Sequence, residues 1–256
     1  MTIRRRKIYQ MSPQTSITLQ HLIDTKKELM RFMMIYKCAL DEVETKINVL
    51  KQEFQYVHDY NPIEHVSSRL KSPESIVQKM YRKNAKSVSI TELKENIKDI
   101  AGIRVVCSFI SDIYRISDMI QKQKDVELVS CKDYIKNPKS NGYRSLHLIL
   151  KIPVFMSDRV EKVYVELQIR TIAMDFWASL EHKIYYKYHN EIPATMLEEL
   201  KEAALTATEL DQKMEKLHKK VSKIKEEDSK ETLKLNKQIS AIPPELLNIL
   251  TSTIIK

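Results

Sequence analysis

Two acidic side chains stand where a sheet would present them. Glu166 lies in Lys162 to Thr171, where Val163, Val165, Leu167 and Ile169 point one way and Tyr164, Glu166, Gln168 and Arg170 the other. A strand with one wholly aliphatic face is a central one, and a carboxylate on its second face is costly unless it is paired or holds a cation. Asp99 precedes a second apolar strand, in Asp99-Ile-Ala-Gly-Ile-Arg104. Gly102 there offers close backbone approach or a positive φ. Taken singly, Glu166 reads as well as a salt-bridge partner, and Asp99 as a turn residue. On neighbouring strands the pair suits Mg²⁺, which takes one or two carboxylates plus substrate phosphates.

Cations gather around them. Arg69, Lys71, Lys79, Arg82, Lys83 and Arg104 precede or enter the sheet, and Lys139 and Arg144 flank the Asn141-Gly142 turn. Lys79, Arg82 and Lys83 share one helical face. Such charges serve either a solvated surface or a polyphosphate. The chain has only two glycines, Gly102 and Gly142, which excludes a Walker loop and a dinucleotide fingerprint. Any phosphate must therefore be held by Lys and Arg. Tyr143 reads as a ring exposed in a loop between cations, suited to base stacking or to packing on the loop. His147 reads as a structural histidine, and Glu181-His182 lacks the spacing of a zinc helix.

A net charge of +9 points to polyanionic partners: nucleotides, nucleic acid or an acidic membrane face. Cys38, Cys107 and Cys131 have no C-x-x-C spacing, which argues for a reducing cytoplasm. Arg4, Arg5 and Arg6 are not followed by an apolar stretch, which argues against a secretory signal. No apolar run approaches the ~20 residues of a membrane span.

The elements that must position these residues follow from periodicity. Residues 1–16 read as a flexible basic N-terminus. A helical arm occupies 17–60, with an apolar stripe at Met33, Tyr36, Leu40, Val43, Ile47, Leu50, Phe54 and Val57, ending at Asn61-Pro62. The core spans 61–192. Within it Ser72-Pro73 opens a helix to about Lys83. Ile103 to Phe109, Val126 to Ser130, Ser145 to Ile152 and Lys162 to Thr171 read as strands, the last two antiparallel. Asp112 to Lys124 and Ile172 to Tyr186 read as helices. A second helical arm covers 193–225. Residues 226–256 read as a charged tail, with disorder expected near Glu226 to Lys230 and a short final helix at Ala241-Ile-Pro-Pro-Glu-Leu-Leu. The stripes on the two arms suit core packing, contact with each other, or an oligomer seam.

Five stretches together resemble the synthetase domain of the RelA/SpoT-type (p)ppGpp synthetases, and within them the RelP-like small alarmone synthetases. They are Arg69-Leu-Lys-Ser-Pro-Glu-Ser-Ile, Asp99-Ile-Ala-Gly-Ile-Arg-Val, Asn141-Gly-Tyr-Arg-Ser-Leu-His, Val165-Glu-Leu-Gln-Ile-Arg-Thr and Ala173-Met-Asp-Phe-Trp-Ala-Ser-Leu-Glu-His. Their order and spacing agree over roughly residues 30–220. The resemblance implies an α+β, nucleotidyltransferase-like fold: a mixed sheet of about five strands flanked by helices. It implies transfer of pyrophosphate from ATP to the 3′-hydroxyl of GTP or GDP. Asp99 and Glu166 would hold Mg²⁺, and Glu166 would be the general base. Arg69, Lys71, Ser75, Lys79, Arg82 and Arg104 would bind ATP. Lys139, Tyr143, Arg144, His147, Gln168 and Asp175 would bind the acceptor. Family members form homotetramers through their terminal helices. Some bind product at the tetramer's centre through a loop equivalent to Ile63-Glu64-His65, where His65 replaces an aromatic Phe. The hydrolase motif H-D-x-x-E-D of longer relatives is not matched, because His58-Asp59 is followed by Tyr-Asn-Pro-Ile. Activity is therefore expected to be synthesis only.

Two rival readings carry their own signatures. A non-catalytic RNA- or nucleotide-binding regulator would bind RNA with steep salt dependence and release no AMP. A polymerase-type nucleotidyltransferase would need D-x-D carboxylates, which the sequence lacks.

Overall fold

The computed structural model describes residues 13–83, 89–187 and 193–240. The elements are α1 (Pro13–Val57), β1 (Ile63–Leu70), α2 (Pro73–Arg82), α3 (Ile90–Asn96), β2 (Ala101–Cys107) and α4 (Ile110–Gln121). They continue as β3 (Glu127–Asp133), β4 (Leu146–Phe155), β5 (Val160–Thr171), α5 (Ile172–Lys187) and α6 (Ala194–Ser240). The expected α+β class and the mixed five-stranded sheet are both present.

The sheet runs β1-β2-β5-β4-β3. β2 and β5 lie parallel, and the other neighbours are antiparallel. Beneath one face lies α1, packed on β1, β2, β4 and β5. Tyr36, Leu40, Val43, Ile47 and Phe54 of the expected stripe are buried there, joined by Phe32, Ile35 and Ala39. Each large side chain so buried contributes about 1.5–3 kcal/mol relative to exposure. Val57, at the helix end, is exposed instead.

β1 and α3 were not expected. β1 is an edge strand whose residues do not alternate between buried and exposed, so its pattern carries no strand period. α3 opens on a capping box, Ser89 with Glu92, a signature the sequence displays as S-x-x-E. α6 is the other departure. It continues unbroken through 226–230, where mixed charge suggested disorder. That stretch contains neither Gly nor Pro and is rich in Lys and Glu, both good helix formers. Residues 1–12 and the expected short helix at 241–247 lie outside the described residues. Among those described, no helix is long and apolar enough to cross a membrane.

Candidate active site

Two rows of side chains cross the sheet face opposite α1. Arg69, Gly102, Glu166, Ile149 and Ser130 are partners in register from β1 to β3. The next row is Ser67, Arg104, Gln168, His147 and Lys132. Alternation turns the intervening Ile103, Leu167 and Leu148 into the core, so the aliphatic packing on one face fixes the chemistry on the other. Gly102 leaves the space beside Glu166 free: an added Cβ would meet only the carbonyl oxygens of Arg69 and Glu166, both at 3.9 Å. Its backbone is not in the positive-φ region, contrary to one of the two expectations for it.

Glu166 closes a ring of five side chains. Gln168 Nε2 donates to its Oε2 at 2.9 Å, and His147 Nδ1 lies 3.4 Å from its Oε1. Arg170 Nη2 donates to Gln168 Oε1 at 2.8 Å and to the Tyr143 hydroxyl at 2.5 Å. The Tyr143 hydroxyl is in turn 2.8 Å from His147 Nε2. Burial pushes the Glu166 carboxyl up, but the His147 contact and the Gln168 amide outweigh it and hold the group below its ordinary value.

Asp99 sits just before β2, where Lys71 N–H donates to the Ile100 carbonyl and ties the approach to α2 onto the strand. Its Oδ2 accepts from Lys71 Nζ at 2.8 Å and from Lys79 Nζ at 2.5 Å. Its Oδ1 is buried and has no hydrogen-bond partner, as is true of Arg104 Nε. A buried, unpartnered carboxylate oxygen beside a second carboxylate fits a divalent cation that completes its shell with substrate phosphates. Among the described residues no three or more His, Cys, Asp or Glu converge as a cage, so any ion here would depend on such substrate ligands. At Asp99 burial is outweighed by the two lysines, and the carboxyl stays ionised below its usual range. At Lys71 burial wins, and its ammonium is held below the ordinary lysine value despite Asp99. One carboxylate shared by two lysines compensates only part of the desolvation.

Two cavities meet at these acids. One, of about 590 Å³, is lined by Arg69, Arg104 and Arg170, with Tyr143 and Gln168. Across it lie Ser179, Glu181, His182 and Lys183 of α5. The other, of about 500 Å³, is lined by Lys79, Lys83, Lys98, Lys132 and Lys139, with Tyr134 and His147. Asp99 and Glu166 line both. Arginine is a flat donor that stacks on rings, whereas lysine is a point charge suited to phosphate.

Most expected residues arrive in this arrangement. Lys71 reaches it through Asp99. Asp175 accepts from Arg104 and Arg170, each at 3.2 Å, so it braces the arginines. Three others line neither cavity, as Lys71 and Asp175 also do not. Ser75 stays at the α2 N-terminus, where its backbone N–H and Oγ bond to the Ser72 hydroxyl. Arg82 is exposed on α2 and, unlike Lys79 and Lys83, does not line the lysine-rich cavity. Arg144 turns to the back of its loop, where Nη1 donates to the Ile135 carbonyl at 2.8 Å. Tyr143 also departs from expectation. It is half-buried, packed on Trp177, Ala178 and Ala204, with Lys139 Nζ 4.7 Å and Arg170 5.0 Å from its ring centre. Ile63, Glu64 and His65 belong to β1, not to a loop.

Several members of the site were not foreseen. Arg170 follows Gln168 at the strand period of two, and Lys132 follows Ser130 in the same way on β3. The alternation had already put Arg170 on the polar face without giving it a role, and extending it along β3 would have found Lys132. Glu181 and His182 close the fifth resembling stretch but were given no role in the site, and Lys98 had no comparable signal.

The family model described as a region found in RelA and SpoT proteins matches residues 68–191. GTP pyrophosphokinase YwaC of Bacillus subtilis (strain 168) is 50% identical over 208 residues, 80% of this chain and 99% of that protein. The crystal structure of small alarmone synthetase 2 from Bacillus subtilis superposes with a TM-score of 0.67 at 52% identity, over 73% of this chain and 97% of its own. Small alarmone synthetase 1 from the same species, bound to its product pppGpp, gives 0.71 at 36% identity, over 76% and 98%. That synthetase has also been seen bound to AMPCPP.

Proposed function

The chain belongs to the RelA/SpoT family, and from that premise we infer that it is a GTP pyrophosphokinase. It moves the β,γ-pyrophosphate of ATP onto the 3′-hydroxyl of GTP or GDP, giving AMP and (p)ppGpp. The observation that carries this reading is the meeting of an arginine-lined and a lysine-lined cavity at Asp99 and Glu166. Two purine nucleotides need flat donors for their bases and point charges for their phosphates, with acids at the junction.

In this reading the purines lie in the arginine half, against Arg69, Arg104 and Tyr143. The phosphates lie in the lysine half. The 3′-oxygen attacks the β-phosphorus of ATP, its proton passes to Glu166, and the bond to the α-phosphate oxygen breaks, so AMP leaves with the electron pair. Glu166 is suited to the task because its donors keep it ionised and aimed. Asp99 and Glu166 would together hold Mg²⁺, which supplies charge neutralisation at the transferred phosphates. Lys71 and Lys79 hold the Asp99 carboxylate in place. The rest of the rate enhancement is positioning within a preorganised field of cations.

Labelled ATP with GTP, GDP or GMP as acceptor tests the reading. AMP and the 3′-pyrophosphorylated nucleotide are the expected products. Glu166→Gln should lower turnover at least ~10²-fold with nucleotide binding kept. Release of pyrophosphate in place of AMP, or near-normal turnover in Glu166→Gln, would overturn it.

The finer properties rest on the same family reading. A reducing cytoplasm suits Cys38, Cys107 and Cys131, which form no disulfide. A homotetramer joined by terminal helices suits the exposed Leu19, Leu22, Ile23 and Met30 of α1 and the exposed Leu210, Met214, Leu217, Val221 and Ile224 of α6.

A further inference from the structure

The loop that carries Tyr143 is not supported by the sheet alone. Residues 139–144 turn through paired backbone bonds, Gly142 N–H to the Lys139 carbonyl at 2.9 Å and Lys139 N–H to the Tyr143 carbonyl at 3.2 Å. The turn places Gly142 at φ 88°, a conformation suited to glycine. Its back lies flat on α6. A Cβ built at Gly142 would stand 2.5 Å from the Cβ of Ala204, closer than any two such atoms approach. Ala204 is 5% exposed, and it shares one apolar cluster with Tyr143, Trp177 and Ala178. Trp177 Nε1 donates to the Leu200 carbonyl at 2.9 Å, which pins α5 to α6 one turn before Ala204. Asn141 Nδ2 donates to Glu181 Oε1 at 3.2 Å, which pins the loop tip to α5. Only about 10 Å³ of space remains between the loop and the helix. The contact is therefore filled, and neither side can advance unless the other withdraws. α6 also lies beyond the residues 68–191 that the family model covers.

We propose that α6 is part of the acceptor site, with Ala204 as the positioning residue that sets the height of the 139–144 loop and so the affinity for the guanosine acceptor. Ala204 touches neither substrate. It acts through Gly142 and Tyr143, and the inference rests on Tyr143 being the platform for the acceptor base. ATP has no such dependence, because Arg69, Lys71, Lys79 and Arg104 lie on β1, α2, β2 and the segments joining them.

Ala204→Val adds two methyl groups against the loop, and Ala204→Ser adds one hydroxyl. Steady-state kinetics should show the KM for GDP raised by about tenfold or more in Ala204→Val, with the KM for ATP within about twofold of wild type. Ala204→Ser should lie between, and it keeps the test open if the valine variant does not fold. Glu202→Ala, exposed on the same helix, is the control and should match wild type. A second readout needs no turnover. Trp177 is the chain's single tryptophan, so its emission reports on this contact directly. It should change when GDP is titrated into the full-length protein, and change less in Ala204→Val at the same GDP concentration. Tyr143→Ala separates the two layers of the argument. If its GDP KM is normal, the acceptor platform is misassigned and the proposal falls with it. If Tyr143→Ala raises the GDP KM while both Ala204 variants leave it alone, or shift both KM values equally, the role of α6 is refuted and the platform stands.

Discussion

A guanidinium donates and never accepts, and this gives the Glu166 ring a direction. Arg170 is 4% exposed, and its Nη2 points at both Gln168 Oε1 and the Tyr143 hydroxyl. The Gln168 amide must therefore turn its nitrogen to Glu166. The Tyr143 hydroxyl accepts from Arg170 and lies 2.8 Å from His147 Nε2, while His147 Nδ1 lies 3.4 Å from Glu166 Oε1. One arginine thus orients the Gln168 donor on one oxygen of the base and, through the Tyr143 hydroxyl, stands behind the imidazole beside the other. Arg170→Lys keeps the charge but loses the fork, so kcat should fall about 10²-fold with the KM for ATP little changed. Single-turnover assays would check this, and a normal chemical step in Arg170→Lys would remove the arginine from the account. At this scale the sequence was readable in part. Asp99, Glu166, Gln168 and the cations were named from type and spacing. Arg170 stood in the same alternating run but was not assigned a role. Arg144 shows the opposite failing. Its place in a motif suggested a ligand, yet a loop has no period from which to read its direction.

Elements were legible where they alternate or repeat, and obscure where they lie at an edge. β2, β4 and β5 carry aliphatic residues every second position and could be drawn before the structure was known, whereas β1 could not. α4 shows how an element's docking becomes pH-dependent. Asp112 accepts from the Tyr60 hydroxyl at 2.6 Å and from the Phe109 N–H at 3.2 Å, so it caps the helix. Burial nevertheless raises its carboxyl above the ordinary aspartate value, against the pull of Tyr60, the Phe109 amide and His218, and with the push of Glu215. Asp211, also buried, is raised as well. An acid raised in the folded state binds more protons there than in the unfolded chain, so its contribution to stability declines as pH climbs from the unfolded value through the folded one. Asp112→Asn can still accept both hydrogen bonds through its amide oxygen. It should therefore gain stability over wild type as pH rises from about 4 to 7. Chemical denaturation at several pH values would show the difference widening, and a constant difference would contradict the assignment.

The molecule as a whole pairs a five-stranded sheet with two long helices, each of which carries exposed large apolar side chains. Between α5 and α6 an open groove of about 1010 Å³ is lined by Phe176, Leu180, Leu210 and Met214. If terminal helices join four copies, light scattering should give a mass near four times the chain's 30.1 kDa. Met214→Glu together with Leu217→Glu should reduce it, and an unchanged mass would place the contacts elsewhere. The stripe on α1 was legible because one side of it is core. The stripe on α6 gave no sign from spacing alone of which surface it would meet. Among the described residues the two cavities share only Asp99 and Glu166, and with the nucleotides placed as proposed this bears on how the reaction would shut itself down. The finished alarmone would keep the guanosine in its berth and extend its new 3′ tail into the place that ATP's terminal phosphates enter. It should therefore compete with both starting nucleotides at once, whereas AMP, which lacks the 3′ tail and fits ATP's berth alone, should compete with ATP alone.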